Sequence, residues 1–215
     1  MARFSHPNVM PFYGYYRHSG SSLLGIVMPW CNGGNLEAFW RSSSSPQGDK
    51  LALMREVAEG LAYLHSHEVV HGDIQPSNIL IAEGQARISN FASSRLLDES
   101  GFTTNDRPSM RYMAAELINS EELSAAMKNS DVWSLAMTAL SVLSGERPFA
   151  HIRNDMIVII RISAGERPRK PSNINGDIWA ILNRCWDMDP ARRPSSEEVV
   201  LLFGQSAMQS RFQSE

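Results

Sequence analysis

Thirteen consecutive residues, Asp131 to Leu143, carry a single charge and are apolar nearly all round when wound as a helix. A helix without a polar face has to be enclosed by the rest of the chain, so whatever fold forms must be built around this segment. Gly145 and Pro148 end it. Further helical patterns surround it. Leu51, Met54, Val57, Ala58, Leu61, Ala62 and Leu64 recur at helical spacing and predict an amphipathic helix over residues 51–65. Helices are also predicted near 152–164, 176–187 and 195–207, the last opened by Ser195 with Glu198 three residues on, which matches a capping box. Asn35 can cap a short helix through Trp40. Strand signals are short. Val9 to Tyr16 and Leu23 to Met28 read as a pair around Ser19-Gly20-Ser21-Ser22, and Ile79-Leu80-Ile81 and Ala86-Arg87-Ile88 flank Glu83-Gly84. Pro29 to Gly34 breaks the pattern as a linker would, Ser42 to Ser45 with Pro46 and Gly48 reads as a surface loop, and residues 93–110 are polar and irregular. There is no internal repeat. The class is α+β, mainly helical.

Bulk properties exclude several functions. The chain has 215 residues, enough for one large domain or two small ones, and a net charge of −3. That balance gives no footprint for nucleic acid, whose phosphate backbone calls for a concentrated basic face. Cys31 and Cys185 cannot make a disulfide framework and suit a reducing compartment. Apolar runs such as Met156 to Ile160 and Val199 to Phe203 fall far short of the ~20 residues that span a bilayer, so no membrane span is expected. Met1 to Pro7 has no apolar signal core, which leaves the cytoplasm as the expected location.

The chemistry lies in His71-Gly72-Asp73-Ile74-Gln75-Pro76-Ser77-Asn78, followed by Asn90-Phe91-Ala92. An acid with an amide carbonyl five residues downstream is what phosphoryl transfer from a nucleotide needs. Asp73 would accept the proton of an attacking hydroxyl, and Asn78 would hold a magnesium ion. These segments resemble the protein kinases, whose catalytic loop reads H-R-D-L-x-x-x-N and whose magnesium motif reads D-F-G.

The resemblance covers nearly the whole chain in the family's order. His6-Pro7-Asn8-Val9 is similar to the approach to the fourth strand of a kinase N-lobe. Ile26 to Cys31 looks like the fifth strand and hinge, which implies Met28 as gatekeeper and Pro29 and Cys31 as backbone partners of an adenine, with Leu80 beneath its ring. Met113-Ala114-Ala115-Glu116 resembles the A-P-E motif, and Arg193 resembles the arginine that pairs with that Glu. Ser130-Asp131-Val132-Trp133 resembles the start of the central helix, whose Asp holds the catalytic-loop backbone. His71 and Phe91 take the packing positions of their motifs. Ser109 to Tyr112 sits like the T-x-x-Y of Ser/Thr-type members, while Trp133 and Cys185-Trp186 look like the tyrosine-kinase-like branch. The resemblance implies one domain over 1–215, with 1–31 as an N-lobe remnant and hinge and 32–215 as the C-lobe. It also implies ATP and Mg2+ as ligands and a protein substrate or regulatory protein as partner.

Six departures bear on activity. No lysine precedes Lys50, so no residue of this sequence supplies the third-strand Lys, and no G-x-G-x-x-G covers the phosphates. Asn90 stands at the metal-holding Asp, Ala92 at the motif's Gly, Gly72 at the Arg that answers a phosphate on the activation segment, and Gln75 at a Lys aimed at the transferred phosphate. The expected function is therefore a kinase-shaped interaction or regulatory module, a pseudokinase or a truncated kinase. The alternative is an active protein kinase transferring the ATP γ-phosphate to protein hydroxyls, with Asp73 as base. His65, His67 and His71 could suggest a metal site. Structural zinc wants four ligands, however, and no Cys is near, so the expectation is two exposed histidines at a helix end and a third packed under the catalytic loop.

Overall fold

The apolar segment at Asp131 sits where its composition requires. In the computed structural model, which describes residues 4–17, 24–42, 47–96, 109–118 and 127–212, it belongs to a helix spanning Lys128–Ser144 whose residues from Ser130 to Leu143 are all buried. In chain order the elements are β1 (Gly14–Arg17), β2 (Leu24–Val27), α1 (Leu36–Ser42), α2 (Gln47–Ser66), β3 (Val69–Val70), β4 (Ile79–Ala82), β5 (Gln85–Ile88), β6 (Arg95–Leu96), α3 (Ala115–Ile118), α4 (Lys128–Ser144), α5 (Asp155–Ser163), α6 (Gly176–Cys185) and α7 (Ser196–Phe212). The strands form three antiparallel pairs, β1 with β2, β3 with β6, and β4 with β5. This is the mainly helical α+β fold that the sequence predicts. The expected Ser19–Ser22 turn, the Ser43–Pro46 stretch and most of the 93–110 segment lie outside the described residues.

Helix α4 tolerates its buried hydroxyls at 134, 138 and 141 because each finds a carbonyl. Ser134 donates to the Tyr112 carbonyl at 2.8 Å, Thr138 to that of Ile74 at 3.2 Å, and Ser141 to that of Met137 at 3.2 Å. Two of these bonds fasten other segments to the helix, so the buried hydroxyls position the chain as well as satisfy themselves. Val132, Trp133, Leu135 and Ala136 of α4 join Val57, Ala58, Leu61 and Leu64 of α2 and Val199 and Phe203 of α7 in one core. Gly145, at φ 85°, ends α4 as the sequence predicts. Cys185 closes α6 inside this core, where burial pushes its thiol up to about 12, while Cys31 is half-buried; both are free.

Helix α2 starts at Gln47, four residues before the predicted Leu51, and takes in Gly48, expected in the surface loop; Gln47 to Lys50 carry no apolar signal that would announce the extra turn. Helix α7 likewise runs past 207 to Phe212. Its capping box forms, with Glu198 Oε2 accepting from Ser195 N–H at 2.7 Å and Ser195 Oγ accepting from Glu198 N–H at 3.2 Å. Asn35 caps α1 as expected, its Oδ1 accepting from Ala38 N–H at 2.8 Å.

The first predicted strand is shorter than its sequence signal. Pro11 has no N–H to give a ladder, and the residues before it pair elsewhere: Met10 N–H donates to the Ile88 carbonyl at 2.8 Å and Ile88 N–H to that of Asn8 at 2.9 Å. The amino-terminal stretch is thereby stitched to β5. It also lies hard against α2, where a Cβ on Gly60 would meet the Asn8 carbonyl at 2.5 Å. His6 stacks on Tyr63 at 4.8 Å. The β1–β2 hairpin is different, since Tyr13, Tyr15, Tyr16, Ile26 and Trp30 on and beside it are exposed. No helix among the described residues is long and apolar enough to cross a membrane.

Candidate functional site

A single carboxylate organises the loop that carries Asp73. Asp131, in the first turn of α4 and 1% exposed, accepts from His71 N–H through Oδ2 and from Gly72 N–H through Oδ1, both at 2.8 Å. Its third partner was not foreseen. His65, expected to be exposed, is 3% exposed and joins Asp131 Oδ2 through Nε2 at 3.0 Å and Ser196 Oγ through Nδ1 at 2.9 Å. The end of α2, the start of α4 and the start of α7 therefore meet at one charge. The signal was present: His65 lies four residues after Leu61 and seven after Ala58, in phase with the buried face of α2. His67 is exposed, as expected.

His71 is fully buried beneath the loop. Its Nδ1 accepts from Asp73 N–H at 3.2 Å, which makes Nε2 the donor toward the Ser89 carbonyl at 2.9 Å. Phe91 meets the ring edge to face at 5.2 Å. Burial holds this imidazole below its usual pKa, against the opposing pull of Asp131, so it packs as a neutral group.

Asp73, Asn78 and Asn90 are brought together. Asn78, at the end of the 3-10 turn Pro76–Asn78, gives both amide hydrogens to Asp73, at 2.8 Å to the backbone carbonyl and 2.6 Å to Oδ2. Gln75 Nε2 lies across both carboxylate oxygens at 2.8 and 2.9 Å, and Ser109 N–H approaches Oδ1 at 3.4 Å. Asn90 takes the left-handed conformation, φ 61° and ψ 69°, which asparagine tolerates, and donates Nδ2–H to Asn78 Oδ1 at 3.0 Å. These residues do not fit a magnesium ion. The oxygen that Asn78 would offer is already an acceptor for Asn90, no carboxylate stands at 90, and among the described residues no three His, Cys, Asp or Glu gather to hold a metal.

Just past the predicted hinge residues, the chain is anchored to β4. Residues 33–35 run beside β4: Gly33 N–H donates to the Ile81 carbonyl at 3.2 Å, Ile81 N–H to that of Gly34 at 2.9 Å, and Asn35 bridges Leu80. Cys31 Sγ lies 3.8 Å from Met10 Sδ and 3.9 Å from the Pro29 carbonyl. Met28, by contrast, is 36% exposed.

Gly72 has a steric reason to be glycine. Its φ is +79°, and a Cβ there would meet the Ser93 carbonyl oxygen at 2.7 Å. The segment after Asn90 presses on it from that side, through Ser94 Oγ donating to the His71 carbonyl at 3.0 Å and through the pairing of β6 with β3.

Two arginines brace the far side. Arg193, its side chain 0% exposed, makes a bidentate pair with Glu116, NH1 to Oε1 and NH2 to Oε2 both at 2.7 Å, and donates to the carbonyls of Asn129 and Asp187 at 2.9 Å. Burial alone would raise the Glu116 pKa, but the Arg193 bond and charge, with Ser130 Oγ at 2.9 Å, bring it below its ordinary value. Arg193 and Arg167 both face the Trp133 ring, at 4.9 and 4.6 Å from its centroid. Arg111 went unnoticed in the sequence. Buried, it donates through Nε to Asp155 at 2.8 Å and through NH1 and NH2 to the carbonyls of Pro148, Phe149, Ile152 and Arg153. No local pattern announces it, since all its partners lie more than thirty residues downstream.

The chain matches the family model for protein tyrosine and serine/threonine kinase over residues 1–203. It is similar to serine/threonine-protein kinase STY17 of Arabidopsis thaliana, 27% identical over 208 residues that cover 95% of this chain and 36% of that protein. It is also similar to mitogen-activated protein kinase kinase kinase 7 of Drosophila melanogaster, 29% identical over 206 residues, covering 93% and 30%. A third relative is serine/threonine-protein kinase dst1 of Dictyostelium discoideum, 30% identical over 208 residues, covering 93% and 27%. The chain thus spans about a third of these relatives or less.

Proposed function

Because the chain belongs to the protein tyrosine and serine/threonine kinase family, we propose that it works as a kinase-shaped interaction or regulatory module whose phosphotransfer is impaired. The family generally uses ATP and Mg2+ and acts on protein substrates. In this reading residues 1–215 form one kinase-like domain, with 1–31 as N-lobe remnant and hinge and 32–215 as C-lobe. It binds a protein partner in the cytoplasm, and it binds nucleotide weakly at Met28, Pro29, Cys31 and Leu80.

The observation that carries the proposal is the contact of the Asn90 amide with Asn78 Oδ1 at 3.0 Å. A neutral donor stands where a metal-holding carboxylate would be. At an effective dielectric of ~20 and a separation of ~4 Å, a unit charge pair is worth ~4 kcal/mol. Withheld from a transition state alone, that is roughly a thousandfold in rate. Gln75 adds to the effect by occupying both Asp73 oxygens. The structural set, Asp131 with the loop backbone and Glu116 with Arg193, has its partners in place. A scaffold kept beside an altered reaction centre suits a module that presents a surface.

The active-kinase reading is supported by Asp73 and Asn78 lying in hydrogen-bond contact at 2.6 Å on a well-anchored loop. One assay separates the two. Purified chain with ATP and Mg2+ is expected to transfer no phosphate to itself or to a generic protein acceptor. Turnover that disappears in Asp73→Asn would establish the active kinase instead.

A further inference from the structure

Four side chains of the candidate site close a hydrogen-bonded network made only of amides and one carboxylate. Because Asn78 spends both amide hydrogens on Asp73, the orientation of its amide is fixed and Oδ1 is the atom left facing Asn90. Asn90 fills that acceptor with Nδ2–H, and Gln75 fills the two oxygens of Asp73 from the other side. N–H groups therefore face Asn78 Oδ1 and both carboxylate oxygens of Asp73, the oxygens a positive ion would need from these two residues. Asn78 is 7% exposed, so its contacts are shielded, and the Asn78 and Ser89 backbones tie the cluster to β4 and β5 through Ser89 N–H and Oγ, each 2.8 Å from the Asn78 carbonyl.

We infer that Asp73, Gln75, Asn78 and Asn90 form a cation-independent clasp, in which amide groups hold the loop in its folded geometry without a divalent cation and the Asn90 amide closes the site to one. The inference shares its residues with the proposed function but concerns ion binding and loop order, not phosphate transfer. Its logic turns on one group. Exchanging the Asn90 NH2 for an oxygen, as in Asn90→Asp, converts a donor–acceptor contact of 3.0 Å into two oxygens facing each other at that distance. Two such oxygens repel unless a cation or a proton lies between them. The backbone tolerates the change, since aspartate, like asparagine, is among the residues that adopt the left-handed conformation of residue 90.

The test uses the full chain, with Mg2+ or Mn2+ alone as probe and no nucleotide. The parent chain is expected to melt at the same temperature in Mg2+, Mn2+ or chelator and to leave Mn2+ free, as counted by electron paramagnetic resonance. Asn90→Asp is expected to melt below the parent in chelator, to recover when either cation is added, and to take up Mn2+ at least about tenfold more tightly. Parent chain that is stabilised by Mg2+, or that binds Mn2+ as the variant does, overturns the inference, as does a folded variant that ignores both ions. Should Asn90→Asp fail to fold, the parent Mn2+ count still decides whether the site is closed, and Gln75→Ala decides the clasp: its melting temperature in chelator is expected to fall, and an unchanged one refutes it. Phosphotransfer appears in none of these readouts, so a failure here and a failure of the proposed function are told apart.

Discussion

Replacing Arg193 with alanine strips the Glu116 carboxylate of two charge-assisted bonds at 2.7 Å and removes the donors to the Asn129 and Asp187 carbonyls. Breaking a buried pair by removing one partner costs about 3–5 kcal/mol. Glu116 keeps 22% of its side chain exposed and regains some water, so about 3 kcal/mol is expected for Arg193→Ala. The mirror substitution is harsher. Glu116→Ala leaves a guanidinium with 0% exposure facing two neutral carbonyls and the Trp133 ring, with no counter-charge bonded to it, and about 4 kcal/mol is expected. The double variant should cost less than the sum by about 1–3 kcal/mol, because the second substitution removes the stranded charge. Urea unfolding reads each value as a shift in midpoint at constant slope, about 1 M or more for the single variants. The pair also has a pH signature. With the folded Glu116 pKa below the ordinary 4.5, its stabilisation is complete above that value and is lost as pH falls through the lower folded one, a loss absent in Glu116→Gln. Either single variant costing under about 0.5 kcal/mol, or a strictly additive double, would refute this account of the bracing.

Three further outcomes follow from the geometry. Gly72→Arg, which restores the residue usual in kinases, is expected to destabilise by about 2 kcal/mol or more in thermal melts, since φ is +79° and Ser93 O lies 2.7 Å from the new Cβ; an unchanged or higher melting temperature would be contrary. Arg111→Lys is expected to lose about 2–4 kcal/mol despite keeping its charge, because three donors on one nitrogen cannot serve four carbonyls and Asp155, and chemical denaturation at matched pH measures it. His71 is held neutral when folded but protonates when unfolded as pH drops below the ordinary 6.5. Stability should therefore decline with falling pH from that point by up to about 1.4 kcal/mol per unit, more steeply than in His71→Asn; equal slopes would count against it.

What the sequence disclosed depended on how local each signal was. Helix α4 was readable because enclosure follows from composition alone, and Glu116 with Arg193 because two motif positions lie 77 residues apart in a fixed order. The caps at Asn35 and Ser195 were readable because their bonds span three residues. His65 was misplaced because its helix-end position was weighed above its phase on the buried stripe. Arg111 was invisible because its carbonyl partners depend on how residues 148–153 turn, including Phe149 at φ 55°. The missing charge at Asn90 is plain in the sequence, but that its amide turns inward to Asn78 depends on a left-handed backbone that the sequence only permits.

The seclusion of Cys185 has a practical corollary. With its sulfur walled into the core and poorly ionised, a thiol-specific dye added to native protein finds its ready target at Cys31 beside the linker. Modification of the second sulfur then requires the helices around it to part. The rate at which a doubly tagged mass accumulates is thus a clock for opening of the core around α6, wound without any engineered probe.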